Sequence, residues 1–341
     1  MLISNIHKGG IVLNIGLIGC GSIANWHIKI YKLIKDVKVI AVSDINLEKA
    51  RAFAAKNKIR KHFNNYLDLL EIKDLDFVDV CTPTSTHASI IIDAVKSNHN
   101  VFTEKPLALS TQQCNKIISE SRRHGVKVCV CHNQIFFPGV QKIKAMIDGG
   151  KIEPVVVKTF IKEDGELLPP WTKTASEGGI IWEVAYHLAY LQLFFLKNIK
   201  DVFAVGGKIK YPVYDDFCVL LRTFSNCYGI MEVSELSKKQ EAFIEIDTLD
   251  GDRFQIDRVH DNILKSPVKV KDLAIIKAKL KFLPRKLRYF RGHYRLIKKF
   301  IDSIKFDLPS PVPPEDGRKT IQLLECIQKA LDEGRIIPFP E

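Results

Sequence analysis

Three groups of residues in this 341-residue chain have types and spacings that could do chemistry. Glu104-Lys105-Pro106 follows the short apolar run Asn100-Val101-Phe102-Thr103, and the proline turns the chain as it leaves that strand. Ligands of open parallel sheets bind at the carboxyl ends of strands, so Lys105 would bring a cation with three donors to a cofactor cleft. The competing reading is a solvated turn lysine. Glu183 and His187 are four residues apart in an apolar stretch, so on one helix they share a face and can hydrogen-bond. A carboxylate there would orient the imidazole and favour its protonated form. The competing reading is a histidine satisfied within a core. The third group is Gly19-Cys20-Gly21-Ser22-Ile23-Ala24, a G-x-G-x-x-A pattern. Gly19 permits a tight turn, Gly21 lets the backbone approach a pyrophosphate, and Ala24 takes the packing position, so the turn from Gly19 through Ser22 to Ile23 would hold phosphates at a helix N-terminus.

The elements that must position these groups alternate. Leu13 to Ile18 reads as a strand and is followed by a helix through Ile34. Val37 to Asp44 is a second strand that ends in an acid. Asp44 would accept hydrogen bonds from adenosine ribose hydroxyls and repel a 2′-phosphate, which favours NAD over NADP, while capping a helix N-terminus is a compatible second role. Helices at Asn46 to Lys56, Tyr66 to Glu71, up to about Ser97 and at Ser110 to His124 alternate with strands at Phe77 to Cys81, Asn100 to Thr103 and Val126 to Cys131. Such alternation predicts a doubly wound parallel sheet.

Beyond it, Val155 to Ile161 reads as the first strand of a second domain, and a helix is expected from about Gly178-Gly179 to Leu196. Phe217 to Phe224, Cys227 to Glu235 and Ala242 to Leu249 read as strands joined by hairpin turns. Two helices follow, Tyr289 to Ile304 and Glu315 to Asp332. The expected domains are 1–131, binding the dinucleotide, and 132–341, for substrate and oligomer contacts, with the last helices free to return to the first. A length of 341 fits two domains at about 150 residues each.

Composition narrows the class. Hydrophobic content of 46% suffices for burial, and Met1 to Gly10 lacks the apolar core of a signal peptide. The apolar stretch Leu188 to Leu196 is too short to span a bilayer, so a cytoplasmic protein is expected. Eight cysteines without a Cys-x-x-Cys pair read as buried free thiols, and no spacing suggests a metal site. Lys265 to Lys299 holds 13 Lys/Arg and one acid, and so carries the whole net charge of +12. A neutral body with one basic segment does not read as a nucleic-acid binder. The segment 265–299 is either a solvated face or a contact for an anionic partner, such as a nucleotide-sugar diphosphate or an acidic membrane surface.

The set G-x-G-x-x-A, Asp44, Thr82-Pro83-Thr84-Ser85-Thr86-His87, Glu104-Lys105-Pro106 and a later Gly-Gly…His resembles the Gfo/Idh/MocA family, named for glucose–fructose oxidoreductase, inositol dehydrogenase and a rhizopine-catabolism protein. The resemblance implies an α/β fold: a Rossmann domain, then an α/β domain with a large, mostly antiparallel sheet that commonly mediates homo-oligomer contact. It implies NAD(P)-linked oxidation or reduction of a sugar, cyclitol or nucleotide sugar. It places Pro83, Thr84, His87, Glu104 and Lys105 among the cofactor-binding residues beside Gly19, Gly21, Ser22, Ile23 and Asp44. His187 falls on the family's general acid/base histidine, with Lys105 and Glu183 as its catalytic companions. Asn133, Trp171 and Tyr190 are weaker substrate candidates. The chain departs from the family at Glu183 and at Tyr190, where aspartates are usual, and at Ala185, where glycine is usual. A non-catalytic nucleotide-binding regulator of the same fold is the alternative, and retention of Lys105 and His187 speaks against it.

Overall fold

The computed structural model describes residues 12–174, 178–257, 262–266 and 285–340. These fall into two compact units, the first built from residues 12–105, 116–131 and 296–314. The second takes in 106–115, the described parts of 132–295, and 315–340.

In the first unit the elements run β1 (Leu13–Ile18), α1 (Ser22–Tyr31), β2 (Val37–Ser43), α2 (Leu47–Asn57), β3 (Lys61–Phe63), α3 (Tyr66–Leu70), β4 (Phe77–Val80), α4 (Thr84–Lys96) and β5 (Asn100–Thr103). After α5 (Thr111–His124) comes β6 (Val128–Val130). The strands form one six-stranded sheet in the order β3-β2-β1-β4-β5-β6. Every pairing is parallel. Near-continuous apolar runs such as Phe77–Val80 suit strands buried on both faces. The order reverses direction between β1 and β4, which is where a crevice opens at the carboxyl ends.

Register sets what lines that edge. Ile18 pairs with Ser43 and Val80, Val80 with Thr103, and Thr103 with Val130. Gly19, Asp44, Cys81, Glu104 and Cys131 are therefore the next residues at one level of the sheet. α1 stops at Tyr31 rather than Ile34, and the three-residue edge strand β3 was not anticipated. Its sequence, Lys-His-Phe, carries too little apolar periodicity to announce a strand. The stretch 296–314 belongs to this unit: Phe300 packs edge-on with Phe77 and at a tilt with Phe102, with ring centroids 5.4 and 5.6 Å away. Val130 N–H donates to Val312 O at 3.0 Å, so this stretch covers the outer edge of β6.

The second unit holds α6 (Pro138–Asp148), β7 (Pro154–Asp164), α7 (Tyr186–Phe195), β8 (Ile199–Gly207), β9 (Asp216–Thr223), β10 (Tyr228–Ser234), β11 (Leu236–Thr248), β12 (Arg253–Asp257) and β13 (Asn262–Ser266). Next in the chain are α8 (Arg285–Lys305), whose residues from Leu296 on belong to the first unit, α9 (Pro314–Glu333) and β14 (Ile337–Pro338). The sheet has eight strands in the order β13-β12-β11-β7-β10-β9-β8-β14. Only β7 and β10 pair in parallel, which gives the large, mostly antiparallel sheet. Alternating burial along β9 shows one face packed and the other open. α7 lies on the packed face, where the Gln192 amide donates to Val157 O, Thr159 Oγ1 and Ile230 O at 2.9–3.0 Å.

Two expectations need correction here. The helix expected to run unbroken to Leu196 opens as a π-helical turn at Ile181–Ala185 before becoming α-helical at Tyr186. Six of the eight free cysteines are buried, whereas Cys218 is exposed and Cys227 half-buried, because both lie on or beside the hairpin of β9 and β10. Residues 267–284, the middle of the basic segment, lie outside the described residues. No helix among the described residues is long and apolar enough to cross a membrane.

Candidate active site

The glycine turn follows β1 directly. Gly19 has φ +93°, and a Cβ there would lie 2.5 Å from Cys81 O, so no larger residue fits the crossing over β4. Gly19 N–H is tied to Ser43 O at 2.7 Å. Gly21 caps α1 with extended backbone and no side-chain hydrogen bond, and α1 has no acid in its first turn. A Cβ on Gly21 would meet nothing within 4 Å. The result is an open turn at a helix N-terminus whose own first turn carries no acid. Ser22 and Ile23 form the first turn of that helix. These features fit a pyrophosphate.

Asp44 is bound to that turn. Its carboxylate accepts from Cys20 N–H at 2.9 Å and from Asn46 N–H at 3.0 Å, with Lys49 Nζ at 3.7 Å. Burial and the Asp44 charge push the Cys20 thiol up to about 12, so Cys20 is an inert packing residue in the loop. The capping role considered for Asp44 belongs to Asn46, whose side chain accepts from Lys49 N–H and caps α2.

After β4, Pro83 and Thr84 start α4. His87 is buried, and its Nε2 donates to Thr82 O at 2.8 Å, which fixes the shape of the loop from beneath. Lys105 N–H donates to Glu104 Oε2 at 3.1 Å. The other Glu104 oxygen lies 3.1 Å from His27 Nε2, and His27 Nδ1 lies 2.8 Å from Asp79. Tyr31 donates to the same Asp79 oxygen at 2.8 Å. Cys81 Sγ is 3.4 Å from His27 Nδ1 and 3.5 Å from Asp79. His27 and Asp79 are fully buried. Burial alone would lower the histidine, but the Asp79 charge, with smaller help from Cys81, holds its pKa well above 6.5. A buried imidazolium between two carboxylates thus underlies the Glu104-Lys105 turn. The expectation of no Cys/His cluster is corrected by this convergence, which joins residues too far apart in sequence for spacing to reveal.

In the second unit, Gly178 and Gly179, both at positive φ, lead into the π-helical turn that carries Glu183. In a π-helix the hydrogen bonds run i to i+5, so the α-helical rule that aligned Glu183 with His187 does not apply across this segment. His187 stands in the first turn of α7 and its Nδ1 lies 3.0 Å from Tyr190 Oη. Tyr190 is buried and stacks on His132, with ring centroids 4.4 Å apart and planes 9° apart. His132 Nε2 lies 2.7 Å from Tyr186 Oη, and burial lowers its pKa to about 3, so it is neutral. Tyr190 Oη also lies 3.4 Å from Asn133 Oδ1 and accepts from Gln134 N–H at 3.3 Å. Asn133 Nδ2 lies 3.2 Å from His293 Nδ1. Trp171 sits in the 3-10 turn Pro170–Lys173, and its side chain lies outside the described residues.

The first unit thus brings together Gly19, Gly21, Ser22, Ile23 and Asp44 at one strand edge with the Thr82–His87 loop and the Glu104-Lys105 turn. The second brings Asn133, His187 and Tyr190 together. Sequence reasoning missed His27, Asp79, His132, Tyr186 and His293. His132 beside Asn133 at the end of β6 was the one local signal.

Comparison with known proteins bears on both units. Residues 13–132 match the model of an oxidoreductase family with an NAD-binding Rossmann fold. Residues 140–256 match the GFO/IDH/MocA C-terminal domain. A myo-inositol 2-dehydrogenase of Thermotoga maritima is 26% identical, over 96% of this chain and 99% of that protein. An inositol 2-dehydrogenase of Salmonella paratyphi B is 31% identical over 65% of this chain and 67% of its own length. The WlbA dehydrogenase of Bordetella pertussis, solved with NADH and UDP-GlcNAcA, superposes with a TM-score of 0.85 at 20% identity, covering 97% of this chain and 99% of that one.

Proposed function

The chain belongs to the GFO/IDH/MocA oxidoreductases, with an NAD-binding Rossmann domain, and from that premise we propose that it oxidises a secondary hydroxyl of a polyhydroxylated ring, a cyclitol or a sugar. One observation supports the reading. The chain is similar to an inositol dehydrogenase over 96% of its length, and it carries Lys105 and His187 where the resemblance to the family implies a catalytic lysine and histidine. The Gly19–Gly21 cradle and Asp44 fit NAD, which when bound supplies the hydride acceptor for the reaction.

The protein's own residues supply the rest. His187 takes the hydroxyl proton at Nε2 as the carbon gives up hydride. Lys105 donates a hydrogen bond to the same oxygen and stabilises the charge that develops on it; in the reverse direction it polarises the carbonyl. The buried imidazolium of His27 holds Glu104, which accepts the Lys105 backbone N–H and fixes the turn from which the lysine projects. Glu183 supplies a carboxylate one turn before His187. The relatives favour an inositol, and the UDP-GlcNAcA bound to WlbA is the reason to keep nucleotide sugars in the test.

The test is a panel of cyclitols, free sugars and nucleotide sugars with NAD, followed by nicotinamide absorbance. Turnover with a cyclitol or free sugar supports the reading. Turnover confined to nucleotide sugars overturns the substrate class, and no turnover with any member overturns the reading as a whole.

A further inference from the structure

We propose a second ligand site in this protein, a half-open cavity at the carboxyl end of α7 that takes a small aromatic anion. It goes beyond the dehydrogenase reading and does not rest on it. Neither His187 nor any residue assigned to NAD is among the described residues that line the cavity.

The cavity has a volume of about 900 Å³, within the range of small-molecule sites, and the residues lining it belong to the second unit. Separate stretches of chain build it. α7 ends at Phe195, and the chain turns at Asn198, which has φ +54°, to enter β8. Two aromatic walls are tied to that turn by main-chain hydrogen bonds. Phe224 N–H donates to Asn198 O at 3.0 Å, and Phe339 N–H donates to Lys200 O at 2.9 Å. Phe194, in the last turn of α7, supplies a third wall. The deep end is uncharged: Tyr190 and His132, each 2% exposed, stack on one another there, and the histidine is neutral.

Three features select the occupant. Phe224 is 69% exposed, an apolar ring held in water, and a second aromatic ring laid against it removes that surface from solvent in a favourable stacking geometry. Gln322 of α9 lines the cavity, is 8% exposed, and its amide has no hydrogen-bond partner among the described residues. A buried amide left unpaired is costly, and a polar group on a ligand removes that cost. The charged residues of the lining are Lys197, Lys319 and Asp316, two cations and one acid. Asp316 stands in the first turn of α9, where the helix dipole favours an acid. Neither lysine has an ion pair or a side-chain hydrogen bond among the described residues. Lys200 adds positive charge beside the same wall, with Nζ 5.8 Å from the centre of the Phe224 ring. An aromatic body against the phenyl walls with an anionic head at the lysines answers all three. The head is a carboxylate or a phosphate.

The test uses anilinonaphthalene sulfonate, an aromatic anion whose fluorescence rises in apolar sites, with NAD at saturation so that the cofactor cleft is occupied. One probe per chain should bind. Lys197→Gln combined with Lys319→Gln exchanges two exposed side chains, leaves the fold intact, and should weaken the probe about tenfold. Phe224→Ser, also at an exposed position, should weaken it at least about tenfold. Naphthoate and naphthyl phosphate should displace the probe, the tighter of the two naming the head group, while neutral naphthyl methanol should compete poorly. No saturable binding in the presence of NAD, or parent affinity in the double lysine variant or in Phe224→Ser, overturns the site. Equal competition by naphthyl methanol overturns the anionic class of its ligand.

Discussion

Asp79→Asn should cost the protein more stability than a change of one atom suggests, and the cost should depend on pH. Asp79 faces a fully buried histidine at 2.8 Å, and that histidine's pKa is held well above 6.5 although burial opposes its charging. Removing one partner of a buried ion pair costs about 3–5 kcal/mol. Here Glu104 stays 3.1 Å from His27, and the amide oxygen that replaces the carboxylate can still accept from Tyr31, so the lower end, about 3 kcal/mol, is expected. His27 binds its proton more tightly folded than unfolded. Its contribution is fully present below about pH 6.5 and is lost as pH rises through the elevated folded value. The neighbours do not blur that window, since burial raises Tyr31 well above 10 and Cys81 well above 9. Urea unfolding followed by Trp26, which lies in the same helix as His27, measures the deficit. It should be largest near about pH 6 and shrink towards about pH 10. A deficit that is constant across that range, or under about 1 kcal/mol near pH 6, would refute a charged His27.

Three further outcomes follow from single contacts. Asp44→Ala should narrow the preference for NAD over NADP, read by titrating both cofactors; equal affinities in the parent protein would contradict the role given to Asp44. Gly19→Ala combines a positive φ with a Cβ 2.5 Å from Cys81 O, and should weaken NAD binding at least about tenfold by calorimetry, equivalent to about 1.4 kcal/mol; parent-like affinity would show that the turn does not carry the phosphates. Glu235 is raised to about 7 by burial, so the stability it contributes is present while it is protonated, below about 4.5, and is lost as pH rises through about 7. Glu235→Gln should therefore raise the melting temperature at about pH 8 and change it little at about pH 5; equal shifts at both would contradict this.

Local patterns were legible wherever the physics is local. The Gly19 turn, the acid ending β2 and the proline after Lys105 each announce themselves within a few residues, and β5 occupies the residues its apolar run predicts. Elements whose stability comes from neighbours were not. β8 (Ile-Lys-Asp-Val-Phe-Ala-Val-Gly-Gly) breaks alternation at its end and depends on β9 and β14 for its pairing. The π-helical turn at Ile181–Ala185 has the apolar content of an ordinary helix, so periodicity could not reveal the extra residue. The charge cluster joins His27 to residues 52 and 77 positions away, and the chain behind His187 joins Asn133 to a histidine 160 positions on. Such pairs are set by topology. Tyr190 illustrates the difference: as a departure from the family it signalled a lost charge, and only its contacts show the hydrogen bond gained in exchange.

The central claim is that Lys105 and His187 act on the substrate oxygen while the glycine turn holds NAD. The direct measurement compares kcat/KM of Lys105→Ala and His187→Ala with the parent on one substrate, with NAD affinity determined on the same preparations. Each variant should lose about 10²–10⁴-fold in turnover with NAD affinity unchanged. More than about a tenth of parent activity in either variant, or a matching loss of NAD affinity, would contradict the account.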